Sequence, residues 1–205
     1  MTAPPEPVTL MYRPRSILER FVWTDLFPMA QPIEVELGSG DGSFLLEHAR
    51  QHPERNFVGV ERLLGRLRKP ERKGRRAGLR NLRLIRLEAA YLVEYLLPAA
   101  SVHALHLYFP DPWPKRKHRK HRLVNETFVN AVQRALVPGG TVYLRTDDAD
   151  YFAQMQAVFG TSAAFIETET PKVLRAILTD FERDFHAQGR PTRHAAYTRR
   201  GEPSS

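Results

Sequence analysis

Short runs of branched and aromatic residues alternate along the chain with segments in which apolar residues recur at helical intervals. The runs, each bounded by glycine, proline or charge, predict strands at Ile33–Leu37, Asn56–Val60, Leu82–Leu87, Val102–Tyr108 and Thr141–Thr146. The segments between them predict helices at Ser43–Gln51, Ala89–Leu97, Glu126–Ala135 and Tyr151–Phe159. This alternation is typical of βαβ units, so we expect an α/β fold with a parallel sheet and right-handed crossovers.

The C-terminal part and the two ends of the chain are less regular. Beyond Gly160 the pattern predicts a strand near Ala164–Glu167, a helix around Asp180–Gln188 and a final strand near Ala195–Arg199. Residues 1–15 hold four prolines and little periodicity, which predicts an extended N-terminal arm, and residues 201–205 are expected to form a flexible tail. A single domain is therefore expected over residues 16–200.

Composition restricts the class of protein. With 205 residues, of which 42% are hydrophobic, the chain is long enough and apolar enough to bury a core. No run approaches the roughly 18 consecutive apolar residues of a membrane helix, and the N-terminus lacks the apolar core of a signal peptide. The absence of cysteine excludes a disulfide scaffold, thiolate chemistry and any Cys-ligated metal. A soluble cytoplasmic protein without a membrane partner is the simplest expectation.

The charge balance points to a polyanionic partner. Lys and Arg number 31 against 23 Asp and Glu, which leaves a net charge of +8, and 25 of the 31 cations are Arg. Guanidinium groups form paired hydrogen bonds with phosphates, so this composition suits a nucleic acid. A genome whose codon usage favours Arg on any surface is the alternative explanation.

The first predicted strand runs directly into a glycine-rich turn, Glu36-Leu-Gly-Ser-Gly-Asp-Gly42, and then into a helix. Gly38, Gly40 and Gly42 let the backbone turn sharply and approach a ligand without a Cβ in the way. Their G-x-G-x-G spacing differs from the G-x-G-x-x-G of dinucleotide-binding folds. A plain tight turn between strand and helix is the alternative for this segment, which we call the glycine loop (residues 38–42).

Three carboxylates lie at the ends of neighbouring predicted strands, where ligands bind in a doubly wound sheet. Glu36, two residues before the first glycine, suits a cationic group. Glu61 lies 19 residues beyond Gly42, the usual position for binding ribose hydroxyls, and Glu88 could accept from an exocyclic amine. A ligand with an adenosine end and a cationic end is implied. S-adenosylmethionine fits this description and NAD fits it poorly.

A proline-rich turn follows the fourth predicted strand and leads into a cationic run. Pro110, Pro112 and Pro114 are expected to hold Asp111 and Trp113 in an extended backbone. Lys115–Arg122, which we call the basic loop, contains only Lys, Arg and His. A Trp face beside clustered cations suits nucleic acid through stacking and phosphate contacts, whereas a solvated loop is the ordinary alternative.

Two further features of the cationic segments bear on partners. His118 and His121 could suggest a metal pair, but their cationic neighbours would repel a divalent ion, so no metal site is expected. Residues 62–86 hold eleven Lys or Arg against one acid, Glu71. Pro70 and Gly74 are expected to interrupt any helix in that stretch. Whether it extends an anion-binding surface or only solubilises one flank is left open by the sequence.

Four segments, in this order, resemble the bacterial tRNA (guanine-N7-)-methyltransferase family: V-E-L-G-S-G-D-G-S-F, F-P-D-P-W-P-K-R-K-H-R-K-H-R, R-T-D-D and T-D-F-E. The resemblance extends from about Ile33 to Arg199. It implies a Rossmann-like S-adenosylmethionine methyltransferase fold, a mostly parallel twisted sheet with an antiparallel last strand. It also implies tRNA as partner, and methyl transfer from S-adenosylmethionine to N7 of the variable-loop guanine. Monomer and homodimer both remain open.

The resemblance also assigns roles to individual residues. Cofactor-binding positions fall on Glu36, Glu61, Glu88 and Asp111. The glycines Gly38, Gly40 and Gly42, expected from the turn itself to lie against the ligand, complete the predicted cofactor site. Substrate-binding positions fall on Lys115, Asp147, Thr179, Asp180, Phe181 and Glu182. Two departures from the family pattern stand out: Glu88 occupies a position where Asp is usual, and Pro70 falls within what is normally a continuous helix.

The chemistry of the implied reaction selects two catalytic candidates. Guanine N7 carries a lone pair and no proton, so its methylation needs no general base and depends on positioning. Positive charge develops on the guanine ring, and Asp111 and Asp147 are the carboxylates expected to stabilise it. For Asp147, capping of the following helix is an alternative or additional role.

Rival functions make different demands on the same residues. An NAD oxidoreductase would have to accommodate Glu36 and the unusual glycine spacing. A non-enzymatic RNA-binding module would need no acidic cofactor pocket. A methyltransferase acting on amino groups of DNA or RNA bases comes closest, because it too uses a proline-rich acidic turn after the fourth strand.

Overall fold

The computed structural model describes residues 9–201. Its eight strands are β1 (Met11–Tyr12), β2 (Ile33–Leu37), β3 (Asn56–Glu61), β4 (Leu82–Arg86), β5 (Val102–Tyr108), β6 (Leu136–Thr146), β7 (Phe165–Thr168) and β8 (Arg193–Arg199). Its α-helices are α1 (Trp23–Leu26), α2 (Ser43–Gln51), α3 (Leu64–Arg76), α4 (Ala89–Tyr91), α5 (Glu126–Ala135), α6 (Ala149–Gly160), α7 (Lys172–Ala176) and α8 (Asp180–Ala187). A π-helical turn, Leu92–Leu96, continues α4, and a 3₁₀ helix spans Arg116–His121.

The strands form one sheet in the order β1-β4-β3-β2-β5-β6-β8-β7. All pairs from β1 to β6 are parallel, and β8 runs antiparallel to both β6 and β7. This arrangement confirms the expected mostly parallel α/β sheet with an antiparallel last strand. Strand β2 lies between β3 and β5, so the chain order reverses beside it, which is where ligands bind in such sheets.

Helices cover both faces of the sheet, and each face has its own apolar core. On one face, α4, α5 and α6 pack on a large cluster that includes Val35, Leu37 and Leu105. On the other face, α2 and α3 pack on a smaller cluster around Leu45 and Leu84. Strand β2 is buried on both faces, although its sequence, Ile-Glu-Val-Glu-Leu, alternates apolar and acidic residues. Glu34 and Glu36 share the face that carries α2, so two carboxylates are buried there.

The expectation that Pro70 and Gly74 interrupt a helix is wrong, because α3 continues through both residues. Proline inside a helix removes one hydrogen bond and costs about 3 kcal/mol. Packing overrides that local cost. A Cβ on Gly42 would lie 2.5 Å from the Pro70 Cβ, and a Cβ on Gly74 would lie 2.5 Å from a Leu10 methyl carbon. Because Gly42 and Gly74 lack a Cβ, α3 packs closely against the glycine loop and against Leu10.

Other element boundaries agree closely with the pattern of the sequence. The ranges of β2, β5, α2 and α5 match it to the residue, while β6 begins five residues earlier than expected, at Leu136. The short elements β1, α1 and α7 were not predicted. Of the predicted N-terminal arm, residues 1–8 lie outside the described part of the chain, and Met11–Tyr12 are extended and pair with β4. Positions 202–205 of the predicted tail also lie outside it.

Within residues 9–201, no helix combines the length and the apolar character that crossing a membrane requires.

Candidate functional site

A cavity of about 840 Å³ opens at the carboxyl ends of β2, β3, β4 and β5. The glycine loop, the ends of these strands and the turn that follows β5 form its walls. Because parallel strands end at one edge of the sheet, the topology brings together segments that are far apart in the sequence. All seven positions predicted to bind the cofactor lie at this edge. Six of them line the cavity: Glu36, Gly38, Gly40, Glu61, Glu88 and Asp111. The seventh, Gly42, does not line it.

The glycine loop has a backbone that only glycine adopts readily. Gly38, Gly40 and Gly42 have φ values of 72°, 53° and 70°. The loop is held by the neighbouring strand, since the N–H groups of Gly38 and Ser39 donate to the Val60 carbonyl at 2.8 and 2.9 Å. Apart from its two chain neighbours, no described residue has an atom within 4 Å of the place a Gly38 Cβ would take. A bound molecule can therefore approach the backbone there.

Glu36 is a buried carboxylate with an unpaired oxygen. Its side chain is 3% exposed, and Oε2 has no hydrogen-bond partner in the part of the chain that the structure describes. Burial raises the pKa of Glu36 to about 8, against the opposing effect of the Arg145 guanidinium and with a further increase from Asp41. An unpartnered buried carboxyl at a cavity wall fits a cationic ligand, which would supply the missing partner.

The other two predicted carboxylates already accept backbone hydrogen bonds. Glu61 accepts from the N–H groups of Gly40 at 3.2 Å and Leu63 at 2.8 Å, so it connects β3 to the glycine loop. Glu88 is exposed and caps α4 by accepting from the Tyr91 N–H at 2.8 Å. Both line the cavity, and each carboxylate has acceptor capacity beyond these bonds for a hydroxyl or an amine.

The turn after β5 is not uniformly extended, contrary to the sequence prediction. Phe109 and Trp113, each followed by proline, have φ values of 51° and 43°. Such backbone strain costs about 1–3 kcal/mol and persists only where the surrounding structure holds it. Here the Phe109 N–H donates to the Arg145 carbonyl at 2.8 Å. In this conformation of the turn, Asp111 and Trp113 line the cavity.

Arg122, the last residue of the basic loop, does not lie on the surface where the sequence pattern put it. Its side chain is 2% exposed and donates to the Pro112 carbonyl at 2.7 Å, Asp150 at 2.6 Å and Gln154 at 2.9 Å. The guanidinium also lies over the Tyr151 ring at 4.8 Å. Arg122 therefore anchors the proline-rich turn to α6, and the surface cations of the loop end at His121.

Asp147 does not cap α6. The neighbouring Asp148 does so, with its side chain accepting from the Tyr151 N–H at 2.7 Å. Asp147 lines the cavity and forms an ion pair with Arg190, whose guanidinium lies 4.3 Å above the Phe185 ring. Sequence reasoning missed Arg190, because nothing in its local pattern distinguishes it from the many other arginines.

Of the four residues at positions 179–182 that are implied to bind substrate, some line the cavity and others do not. Phe181 is 46% exposed and lies over the glycine loop, where a Cβ on Gly40 would be 3.7 Å from its ring. Thr179 also lines the cavity, and its hydroxyl forms a capping box with Glu182. Asp180 binds Lys69 at 3.2 Å and lies outside the cavity lining.

Glu182 is buried and positions its neighbours instead of reaching the cavity. It pairs with Arg145 at 3.0 Å, and that guanidinium also donates to the Ile177 carbonyl at 2.8 Å. The Arg145 guanidinium lies 4.0 Å above the Tyr108 ring. This fully buried arginine, which the sequence reasoning did not single out, thus joins α8 to its own strand, β6. Lys115, the remaining implied substrate residue, is exposed at the start of the 3₁₀ helix and does not line the cavity.

A buried polar cluster lies next to the cavity, under α2. The Nε2 atoms of His48 and His106 each lie 2.9 Å from Glu34 Oε2, and the other carboxylate oxygen pairs with Arg55. Burial acts to raise the pKa of Glu34, but hydrogen bonds from His106 and His48 outweigh it and hold the pKa well below its ordinary value. Three potential metal ligands meet here. The carboxylate is nevertheless already satisfied by protein donors, so the cluster serves as an internal hydrogen-bond network.

Comparison with protein families gives one match over most of the chain. A family model described as "Putative methyltransferase" matches residues 30–195.

Several curated proteins named tRNA (guanine-N(7)-)-methyltransferase are similar to the chain. The one from Thermotoga maritima is 34% identical over 171 residues, which is 83% of this chain and 55% of the relative. The one from Rubrobacter xylanophilus is 43% identical over 64% of this chain and 58% of the relative. The one from Myxococcus xanthus is 38% identical over 75% of this chain and 74% of the relative. The chain thus spans little more than half the length of the first two.

Solved structures are similar to the chain in fold. The 16S rRNA methyltransferase KamB superposes with a TM-score of 0.63 at 17% identity, covering 88% of this chain and 93% of that one. TrmN from Thermus thermophilus superposes with a TM-score of 0.59 at 18% identity, covering 86% of this chain and 46% of that one. At such identities the likeness concerns the Rossmann-like methyltransferase fold alone.

Proposed function

The chain belongs to the tRNA (guanine-N7-)-methyltransferase family, and from that membership we propose that it transfers the methyl group of S-adenosylmethionine to N7 of the variable-loop guanine in tRNA. The structural observation that carries the cofactor part of the proposal is Glu36, a buried carboxyl with an unpaired oxygen beside the glycine loop. A cavity with that feature suits a ligand that is both nucleoside and cation. A neutral donor could form a hydrogen bond with this carboxyl, but only a cation would also balance the charge of its ionised form.

Different residues of the cavity would bind different parts of the cofactor. Glu36 would bind its cationic end, Glu61 its ribose hydroxyls and Glu88 its adenine amine, with Asp111 on the far wall. When bound, S-adenosylmethionine supplies an electrophilic methyl group carried on a sulfonium sulfur. The glycine loop contributes a backbone surface without side chains at Gly38, where the ligand can lie against the chain.

On the substrate side, the protein has to orient the base and stabilise charge. No side chain is needed to remove a proton, because N7 presents a free lone pair. Asp111 and Asp147 lie at the cavity, where carboxylates stabilise positive charge as it develops on the guanine ring. Since Asp147 is paired with Arg190, the guanidinium must give up that carboxylate or share it when the base enters.

The surface around the cavity suits an RNA backbone. Lys115 and the 3₁₀ helix of the basic loop expose cations beside Trp113, which is 38% exposed and 5.3 Å from His121. Aromatic faces for base stacking and a positively charged surface for the backbone are the two elements by which proteins bind single-stranded nucleic acid. We therefore assign the unpaired variable loop of tRNA to this face, with Phe181 as a second exposed aromatic ring at the cavity.

The test is the identity of the product. The protein is incubated with methyl-labelled S-adenosylmethionine and an unmodified tRNA transcript, and the digested RNA is analysed by mass spectrometry. We expect 7-methylguanosine at the variable-loop guanine, and no label in a control transcript in which adenine replaces that guanine. A methyl group on N1, on N2, on an amino group of another base or on a ribose oxygen would refute the proposal, as would a preference for DNA.

A further inference from the structure

Helix α3 exposes a dense row of cations that the proposed reaction does not use. Six of its thirteen residues are exposed Lys or Arg: Arg66, Arg68, Arg72, Lys73, Arg75 and Arg76. The helix has a single acid, Glu71, which turns toward the N-terminal segment and accepts from the Thr9 hydroxyl at 3.1 Å and the Leu10 N–H at 3.3 Å. The acid therefore does not neutralise the exposed row.

Most of these cations have no anionic partner within the protein. Among residues 9–201, no carboxylate lies within 4.0 Å of the side-chain nitrogens of the five from Arg68 to Arg76 in that row, and only Arg66 approaches one, Glu61, at 3.7 Å. Like charges four residues apart on a helix, such as Arg68 and Arg72, destabilise it. By contrast, Arg50 of α2 is paired with Glu47 at 2.6 Å. A row of repelling cations that lowers the stability of its own helix indicates an external anion.

The topology places this row beside the cavity, across from the basic loop. Helix α3 follows β3 and the basic loop follows β5, and β2 lies between those two strands. Arg62 and Arg66 line the cavity at the start of α3, while Lys120 and His121 line it from the basic loop. The helix then runs back from the cavity for about 20 Å, at 1.5 Å per residue. Two cationic surfaces thus flank the cavity on opposite sides.

We propose that the exposed face of α3 is a second phosphate-binding surface, which holds the tRNA backbone on the side of the cavity opposite the basic loop. The identity of the RNA rests on the proposed function. The chemistry of the face favours a phosphate chain, because guanidinium groups spaced along a helix match regularly spaced anions. A membrane surface is disfavoured, since the exposed apolar side chains of this segment, Leu63 and Leu64, lie at its start beside the cavity, and none is exposed between residues 65 and 76 to enter lipid.

The experiment compares two variants of equal net charge. Arg68→Gln with Arg72→Gln removes two cations from α3, and glutamine retains helix propensity. The control, Arg50→Gln with Arg200→Gln, removes two exposed cations from the opposite edge of the sheet, where α2 ends and where the chain leaves β8. Binding of an unmodified tRNA transcript is measured from low to moderate salt, with thermal unfolding and S-adenosylhomocysteine binding as checks that both variants are folded.

We expect the α3 variant to lower the slope of log affinity against log salt by about 0.7–0.9 for each phosphate that it no longer binds, and the control to leave the slope unchanged. Adding Lys117→Gln in the basic loop to the α3 variant should lower the slope further, because the surfaces bind different phosphates. Equal slopes for the α3 variant and the control would overturn the proposal. The proposal would also be overturned if the α3 variant kept the wild-type salt slope for tRNA but bound vesicles containing phosphatidylserine more weakly than the wild-type protein does.

The binding experiment and the product experiment fail independently. If the wild-type protein binds tRNA but makes no 7-methylguanosine, the proposed function is wrong, while the salt slopes still decide whether α3 binds phosphate. If 7-methylguanosine forms and the α3 variant keeps the wild-type slope, the reaction stands and this surface is wrongly assigned.

Discussion

Glu36 allows the pH dependence of cofactor binding to be predicted quantitatively. It is 3% exposed, and burial raises its pKa to about 8. A cationic ligand binds the ionised carboxylate, so the free energy of binding includes the cost of removing the proton. Each pH unit below the pKa reduces ionisation about tenfold, so the ionised fraction is about 1% at pH 6, about 9% at pH 7 and about half at pH 8.

Affinity for the cofactor product is therefore expected to rise with pH. The increase should be about ninefold between pH 6 and pH 7 and about fivefold between pH 7 and pH 8, with little change above that. Calorimetry with S-adenosylhomocysteine, whose amino group is cationic, measures the affinity. Repeating it in two buffers of different ionisation enthalpy counts the protons released, close to one per ligand below pH 7. Constant affinity from pH 6 to pH 8, or no proton release, would refute the reasoning.

The variant Glu36→Gln separates binding from stability. It should bind the ligand weakly and without pH dependence. The folded pKa of Glu36 lies above the ordinary value of 4.5, so its contribution to stability is fully present below about pH 4.5 and is lost as the pH rises through 8. At pH 7 the wild-type protein has lost about 3 kcal/mol in this way. Urea unfolding should therefore show a more stable variant at pH 7 and a much smaller difference at pH 5; a variant less stable than wild type at pH 7 contradicts this account.

Three further substitutions test other parts of the site. Asp147→Asn should slow methyl transfer in single-turnover assays about tenfold, equivalent to about 1.4 kcal/mol, with little change in tRNA affinity. The control Asp148→Asn, which keeps the helix cap, should leave the transfer rate unchanged. Arg122→Gln removes the anchor of the proline-rich turn, so the melting temperature and the transfer rate should fall while the salt slope of tRNA binding stays at the wild-type value; a reduced slope would show that Arg122 contacts phosphate. Gly42→Ala should destabilise the protein in urea by about 1–3 kcal/mol more than Gly38→Ala. Both glycines have positive φ, so the backbone strain is common to the two variants, and only the Cβ at position 42 would also lie 2.5 Å from Pro70.

The sequence by itself determined the elements whose signals are local. The bounds of β2 and β5 follow from runs of apolar residues between glycine, proline and charge, and α5 begins where Asn125 caps it by accepting from the Phe128 N–H. The parallel sheet follows from the alternation of such elements. Because parallel strands end at the same edge of a sheet, the sequence was also sufficient to predict that Glu36 and Glu61 lie at one cavity.

The tertiary structure alone decided which side chains are buried, paired or strained. Helix α3 continues through Pro70, which packs against Gly42, although the local pattern predicts a break there. Arg122 has the same chemistry as the other cations of the basic loop, and only the position of α6 turns it inward. The ion pair between Asp147 and Arg190 likewise joins residues with no local relation in the sequence. Periodicity reports which face of its own element a residue occupies, whereas pairing and burial depend on what the rest of the chain places opposite that face.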